Sequence, residues 1–361
     1  MKRIALIGCT GSIGSQVLDV VRRHPTEFSL TALVAGSNRT ALEKLAEEFH
    51  PRIAYCAAEE AAPSDLFADC DIAFIAASGF AGLGYTMSAI EAGKTIALAN
   101  KESLVCGGRL VMEIAKKRGV EMIPVDSEHS AVWQALGYRR DTPLKRIVLT
   151  ASGGPFLHYT NEELKHVTAA DALRHPTWNM GAKITVDSAT MLNKGYEVIE
   201  AKWLYGAEFS QIEAVVHPES IVHSLVCFED GAAIAQLGYP DMRVPIQLAL
   251  TYPNRLPCAP QLDLAKVGAL HFTDLPKEKF PCFGLAVAAG KEGGICPTVL
   301  NGAAEEAVRA FLAGSISFPQ IAETIEDALT RIPRTEVTSY GDLVDADIKA
   351  REAAKKFIYG K

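Results

Sequence analysis

Asp126, Ser127 and Glu128 follow the apolar run Met122–Val125. Carboxylates two residues apart on an extended chain point to the same side. Like charges that close repel unless a cation or a proton compensates them, so a bound divalent ion is one physical solution. Oxygen donors suit Mg²⁺ or Mn²⁺ rather than zinc, and the sequence does not choose among Mg²⁺, Mn²⁺ and Co²⁺. Taken alone, such a tripeptide reads more simply as a solvated loop. A third carboxylate, Glu197, lies in the segment Asn193-Lys194-Gly195-Tyr196-Glu197, which opens a helical stretch through Tyr205. At about 100° per residue, Tyr196, Ile199 and Trp203 share one side, and Lys194, Glu197 and Ala201 the other. Lysine and glutamate three apart on a helix are ordinarily a weak surface ion pair. Their neighbours widen the possibilities. Ser188, Asn193 and Lys194 offer a hydroxyl, an amide and an ammonium suited to phosphate and sugar hydroxyls, and Ser152-Gly153-Gly154-Pro155 adds a hydroxyl in a backbone-exposing loop.

Lys101, in Asn100-Lys101-Glu102-Ser103, closes the strand-like run Thr95–Ala99. Ligands of doubly wound sheets sit beyond the carboxyl ends of strands, where an ammonium can orient substrate oxygens or stabilise developing negative charge. An exposed charge at a helix start is the competing explanation. Arg174-His175-Pro176-Thr177-Trp178-Asn179-Met180-Gly181 combines a histidine, a large apolar side chain and a glycine in an irregular segment. That suits either a lid that sheds water from a ligand or a packed surface loop. Of His217 and His223, one is expected to be structural, with His223 a weaker site candidate.

The nucleotide-binding signal is at the other end of the chain. Gly8-Cys9-Thr10-Gly11-Ser12-Ile13-Gly14 joins an apolar strand to an amphipathic helix. Glycines there allow a tight turn and close approach of a pyrophosphate to the helix N-terminus. The spacing is GxxGxxG, and its place directly after the first strand favours a dinucleotide over a purely structural turn. A second strand would end at Gly36-Ser37-Asn38-Arg39, where an NAD site normally carries an acidic residue for the ribose 2′-hydroxyl. Here a guanidinium, a hydroxyl and an amide suit a 2′-phosphate, so NADPH is expected in preference to NADH.

The elements that must position these groups follow from the pattern. Ile4–Ile7, Leu30–Val34, Ile72–Ala76, Thr95–Ala99 and Met122–Val125 alternate with helical spacing, which predicts a Rossmann-like, doubly wound parallel sheet. From Lys145 the pattern changes. Ile147–Thr150, Ala214–Val216, Ser224–Phe228 and Ala232–Leu237 read as strands of a second sheet, with an irregular stretch around 152–183 between the first two. The last seventy or so residues read as helices over 302–312, 319–331 and 342–357. The expected organisation is α/β: a Rossmann-like domain over 1–150, an α+β catalytic domain over 151–285 and a helical domain over 286–361. Length supports more than one core: 361 residues exceed an ordinary single domain. With 48 % hydrophobic and 22 % charged residues and a net charge of −7, a soluble chain without a basic field for nucleic acid is expected. The uncharged run 72–90 is broken by glycines and serines, so no membrane span is expected. The N-terminal apolar run Ile4–Ile7 is too short, and too soon followed by glycine-rich sequence, for a leader peptide to be expected. Eight scattered cysteines form no CxxC pair, as in a cytoplasmic protein with reduced thiols.

Eight strings in one order carry a resemblance over essentially the whole chain. They are GCTGSIG at 8–14, ANKESLV at 99–105, PVDSEHSA at 124–131, ASGGPF at 151–156, RHPTWNMG at 174–181, KITVDSATMLNKGYEVIEA at 183–201, HPESIVHS at 217–224 and QLGYPDMR at 236–243. Together they resemble the 1-deoxy-D-xylulose 5-phosphate reductoisomerase family. The resemblance implies rearrangement and NADPH-dependent reduction of that phosphosugar to 2-C-methyl-D-erythritol 4-phosphate, in the non-mevalonate route to isoprenoids. It implies Asp126, Glu128 and Glu197 as metal carboxylates, and Ser152, Ser188, Asn193 and Lys194 as phosphate and hydroxyl ligands, with His175 on the lid. Lys101 and Ser127 would touch the reacting end of the substrate. Thr10, Gly11, Ser12, Ile13, Gly36, Ser37, Asn38, Arg39, Asn100, Glu102 and Gly181 would contact the cofactor. Ser37 stands where the family often has Lys or Arg, which places more weight on Arg39. A homodimer is also implied.

Two other functions fit parts of the pattern. A plain NADP-dependent sugar or semialdehyde dehydrogenase would need no metal triad and would survive EDTA. A silent NADP-sensing regulator would bind cofactor without turnover, and the intact acidic triad argues against it.

Overall fold

In the computed structural model, residues 1–178 and 180–360 are described; Asn179, in the candidate lid segment 174–181, lies outside them. Packing divides the chain into two units. The first comprises 1–103, 111–130 and 241–261; the second comprises 104–110, 131–240 and 262–361.

The first unit is built on a six-stranded parallel sheet of β1 (Lys2–Ile7), β2 (Phe28–Ala35), β3 (Ile53–Cys56), β4 (Ile72–Ile75), β5 (Thr95–Leu98) and β6 (Met122–Pro124). Their spatial order is β3-β2-β1-β4-β5-β6, all parallel. The chain leaves β1 toward β2 on one side and later fills β4 on the other. The carboxyl end of β1 is therefore the topological switch point where such sheets bind ligands. Ile4, Ala5, Leu6 and Ile7 are wholly buried, as are Ala73, Phe74, Ile75, Ile96 and Ala97. Such continuous apolar runs are what strands covered on both faces require. Helix Ser12–Arg23 turns Val17, Leu18, Val20 and Val21 inward and its polar side outward. Helix Arg243–Thr251 also belongs to this unit, where it packs on helix Ser12–Arg23. The sequence pattern assigned no helix there.

The second unit holds a mixed five-stranded sheet: β7 (Arg146–Ala151), β8 (Ile212–Val216), β9 (Val222–Cys227), β10 (Ala233–Leu237) and β11 (Thr273–Asp274), in the order β10-β9-β7-β8-β11. Helix Leu192–Tyr205 packs on β7, β8 and helix Pro281–Glu292. Gly195 makes this last contact possible: a Cβ there would lie 2.5 Å from the Cβ of Ala286. Helices Cys296–Leu312, Phe318–Arg331 and Tyr340–Tyr359 pack on one another. The stretch 152–183 is less irregular than its sequence suggested. It carries two one-turn helices, Asn161–Leu164 and Ala169–Ala172, each started by a reciprocal threonine–acid capping box. All eight cysteines are free thiols. No helix among the described residues is long and apolar enough to cross a membrane.

Candidate active site

The turn after β1 depends on two glycines. Gly8 has φ +86°, and a Cβ on it would sit 2.5 Å from the carbonyl oxygen of Ala76. At Gly14 a Cβ would lie 2.2 Å from the carbonyl oxygen of Gly8. No side chain caps the helix N-terminus at Gly11, and its first turn holds no acid. Thr10, Gly11, Ser12 and Ile13 therefore surround a helix start whose amide dipoles favour an anion.

At the end of β2, Asn38 Oδ1 accepts a hydrogen bond from the Ala41 amide at 3.0 Å and so caps helix Arg39–Phe49. Only its amide NH₂ is left to donate outward. Gly36 and Ser37 are exposed. The Arg39 guanidinium is ion-paired: its Nε lies 2.5 Å from Glu59 Oε2 and another nitrogen bonds Glu60. The sequence reading found no acid at the end of β2; these two come from the segment after β3, a strand it did not identify.

After β5, Asn100 and Glu102 are buried. Asn100 Nδ2 reaches the carbonyls of Ala77 (2.8 Å) and Gly79 (3.0 Å) and Glu102 Oε2 (2.8 Å). Its Oδ1 accepts from the Ser103 amide at 3.0 Å. These side chains clamp the loops beyond β4 and β5, a structural task besides the expected cofactor contact. Lys101, 7 % exposed, places Nζ 3.0 Å from Asp126 Oδ2, which removes the exposed-charge alternative.

The local geometry of the acidic pair differs from expectation. Asp126 and Glu128 do not lie on one extended strand, because helix Ser127–Ala135 begins between them. Asp126 Oδ1 accepts from the amides of Glu128 (3.1 Å) and His129 (3.4 Å), as an aspartate at a helix start does. Ser127 Oγ donates to Glu128 Oε2 at 2.6 Å. Both acids are part-buried, so the solvated-loop reading does not hold.

In the second unit, His175 bridges two serines: its Nε2 lies 3.1 Å from Ser152 Oγ and 3.1 Å from Ser188 Oγ. Its Nδ1 accepts the amides of Thr177 (3.2 Å) and Trp178 (2.9 Å). A nitrogen that accepts carries no proton, so the ring hydrogen is on Nε2, facing the hydroxyls. Burial pushes the imidazolium pKa down to about 4, so the ring is a neutral donor at neutral pH. Gly153 and Gly154, at φ +91° and +66°, let the Ser152 loop press on helix Ala182–Ala189; a Cβ on Gly154 would lie 3.1 Å from the Ser188 carbonyl oxygen. Gly181 starts that helix, its carbonyl accepting from Thr185 Oγ at 2.8 Å.

Lys194 and Glu197 are not a surface pair. Their side chains are 5 % and 1 % exposed and are directly ion-paired, and Asn193 Nδ2 donates to Glu197 Oε1 at 2.6 Å. Tyr196 on the opposite side is also wholly buried and bonds Asn301. Helix Leu192–Tyr205 is buried over most of its length, so these polar groups are enclosed rather than left to solvent.

His217 is the structural one of the two histidines. It is fully buried, its Nε2 accepts the amides of Ile221 and Val222 at 3.1 Å, and its ring stacks on Phe272. His223, 7 % exposed, has its ring 6.1 Å from that of Trp178.

Comparison with known proteins places these features in one family. Family models for 1-deoxy-D-xylulose 5-phosphate reductoisomerase match residues 4–66 and 61–108, and models of its C-terminal domains match 122–205 and 237–353. A reductoisomerase of this name from Geobacillus sp. (strain WCH70) is 49 % identical over 381 residues, covering 99 % of this chain and 100 % of the relative. One from Bacillus cereus (strain Q1) is 48 % identical over 373 residues, covering 97 % and 98 %. Among solved structures, a DOX-P reductoisomerase in complex with NADPH, fosmidomycin and magnesium superposes with a TM-score of 0.92 at 38 % identity, covering 99 % of this chain and 98 % of that one. The Zymomonas mobilis enzyme in complex with NADPH gives 0.90 at 36 % identity over 100 % of both chains. The chain belongs to the 1-deoxy-D-xylulose 5-phosphate reductoisomerase family.

Proposed function

We propose that this member of the family does what its relatives' name states, turning 1-deoxy-D-xylulose 5-phosphate into 2-C-methyl-D-erythritol 4-phosphate with NADPH and a divalent cation. The first unit seats the cofactor. The glycine turn 8–14 offers backbone amides to the pyrophosphate, and Gly36 to Arg39 face the adenosine end. Asn100, Glu102 and Gly181 complete the cofactor contacts.

Asp126, Glu128 and Glu197 hold the cation. The donor set fits a hard ion, being all carboxylate oxygen. Two of the three acids are paired with ammonium groups, Lys101 on Asp126 and Lys194 on Glu197. When bound, such an ion polarises neighbouring ketone and hydroxyl oxygens and favours their deprotonation. Lys101 and Ser127 orient the reacting end of the substrate. Ser152, Ser188, Asn193, Lys194 and the Nε2–H of His175 hold the phosphate and hydroxyls. That remote grip fixes the substrate while its skeleton rearranges. Trp178 and its loop exclude water over it.

Glu197 carries this reading. Enclosing a carboxylate is costly unless it is paired, and here an ammonium and an amide are enclosed with it. As functional domains we propose 1–150 for the cofactor, 151–285 for substrate, lid and the third metal acid, and 286–361 for support, with the packing boundary differing in that 131–150 belongs to the second unit and 241–261 to the first. Two chains assemble into a homodimer. Support comes from β10, an edge strand whose Ile234 and Leu237 are 49 % and 36 % exposed and would be protected by a second copy. The test is to incubate the chain with NADPH, Mg²⁺ and 1-deoxy-D-xylulose 5-phosphate and identify the product by NMR. A branched tetrol phosphate is expected. An unbranched, merely reduced sugar would refute the rearrangement and favour a plain dehydrogenase.

A further inference from the structure

We infer that Glu59 and Glu60 act as a built-in counter-charge that weakens binding of the cofactor's 2′-phosphate and so sets how strongly this chain prefers NADPH over NADH. The inference rests on the first unit being the NADPH seat. Arg39 supplies the one cationic group of the segment 36–39, and both acids already occupy it. Their position is fixed by the backbone and is not an accident of flexible side chains. The Ala57 amide bonds the Ala35 carbonyl and the Ala58 amide bonds the Gly36 carbonyl, each at 2.9 Å, which runs the segment after β3 alongside the end of β2. The amides of Glu59 and Glu60 then both return to the Cys56 carbonyl at 3.0 Å, closing a turn that presents the two acids to Arg39.

The charge arithmetic follows. One guanidinium and two carboxylates leave this corner with a net charge of −1 before any phosphate arrives. Asn38 and Ser37 contribute no charge, and Asn38 has its oxygen committed to the helix cap. A 2′-phosphate bound at Arg39 would sit well within the ~8 Å screening length of both acids. The pairs themselves are exposed, with Arg39 at 36 %, Glu59 at 49 % and Glu60 at 46 %. Exposed pairs are individually weak, so the phosphate can displace the acids from the guanidinium. It cannot remove their charge. NADH presents only a neutral 2′-hydroxyl at this corner and so feels their charge far less.

Titrating the apoprotein with NADPH and with NADH, following cofactor fluorescence, tests this with the double variant Glu59→Gln, Glu60→Gln. Both positions are solvent-facing, so the fold should tolerate the amides. The NADPH Kd is expected to fall about five- to tenfold at low salt, as removing two such like charges implies, with the NADH Kd changed less than about twofold. The gain should shrink as salt is raised, and it should persist when Arg39→Gln is added, because the acids repel the phosphate directly. Unchanged NADPH affinity would overturn the inference. Weaker NADPH binding would overturn it too, showing that the acids hold Arg39 in its binding pose. Failure of the unaltered chain to bind NADPH at all would instead strike the cofactor reading, and the inference with it.

Discussion

Breaking the enclosed Lys194–Glu197 pair one partner at a time should cost far more than removing both. Glu197 is 0 % and Lys194 4 % exposed, and Asn193 supplies a further hydrogen bond to the same carboxylate at 2.6 Å. Glu197→Gln keeps the size of the side chain and an oxygen for Asn193 but takes away the carboxylate paired with the enclosed Lys194 ammonium. Lys194→Met takes away the ammonium in turn. Each single change is expected to lower unfolding free energy by about 3–5 kcal/mol, the usual penalty for stranding one buried charge. In Lys194→Met with Glu197→Gln no charge is stranded, so most of that loss should return, to within about 1 kcal/mol of the unaltered chain. The interaction energy from the cycle would then be several kcal/mol. Urea unfolding in EDTA, with near-UV and far-UV signals compared, measures this without interference from bound metal. Single losses below about 1 kcal/mol that simply add in the double variant would refute the claim that these charges are enclosed and mutually dependent.

Other consequences are open to direct measurement. Gly14→Ala places a methyl 2.2 Å from the Gly8 carbonyl oxygen; the displaced turn should raise the NADPH Kd about tenfold or more, and unchanged binding would show that the turn is not the pyrophosphate seat. His175 is held neutral in the fold, with its pKa lowered from 6.5 to about 4 by burial. The unfolded chain therefore takes up a proton that the folded chain refuses, so stability is full above pH 6.5 and is lost as pH falls from there toward 4. His175→Asn should show a shallower acid slope than the unaltered chain; parallel slopes would mean that His175 titrates freely in the folded state. Ser188→Ala removes one hydroxyl bound to His175 and one proposed phosphate ligand. It should raise KM about tenfold, as losing a hydrogen bond to a charged group does, while kcat changes little, and an unaffected KM would remove Ser188 from the substrate contacts.

What was legible in the sequence is what local chemistry dictates. The strand–glycine–helix turn at 4–23 is fixed by residues adjacent in the chain, and the structure reproduces it at Gly8 and Gly14. The parallel sheet followed from apolar runs buried on both faces. β3 was missed because four residues, Ile53–Cys56, are too short to show a period, and with it went the two acids on Arg39. Helix Arg243–Thr251 was hidden by Pro240 and Pro245 and by its distance of more than a hundred residues from the sheet strands it joins in the first unit. Helix Pro281–Glu292 is rich in alanine and glycine and shows little amphipathic contrast. The local geometry of Asp126 was readable: an aspartate before Ser-Glu-His and an apolar run is a helix-start signal, and treating the segment as extended overlooked it. Burial of Lys194 and Glu197 was not readable, because the same spacing occurs on solvated helices and only tertiary packing distinguishes them.

The central claim is that Asp126, Glu128 and Glu197 together grip one divalent cation. Calorimetric titration of the metal-free chain with Mn²⁺ tests it most directly, set beside Asp126→Asn, Glu128→Gln and Glu197→Gln variants that retain NADPH binding. One ion per chain is expected, with affinity falling at least about tenfold in every variant. Wild-type Mn²⁺ affinity in the Glu197→Gln protein would contradict the account, leaving the other two acids without the partner on which the proposed chemistry depends.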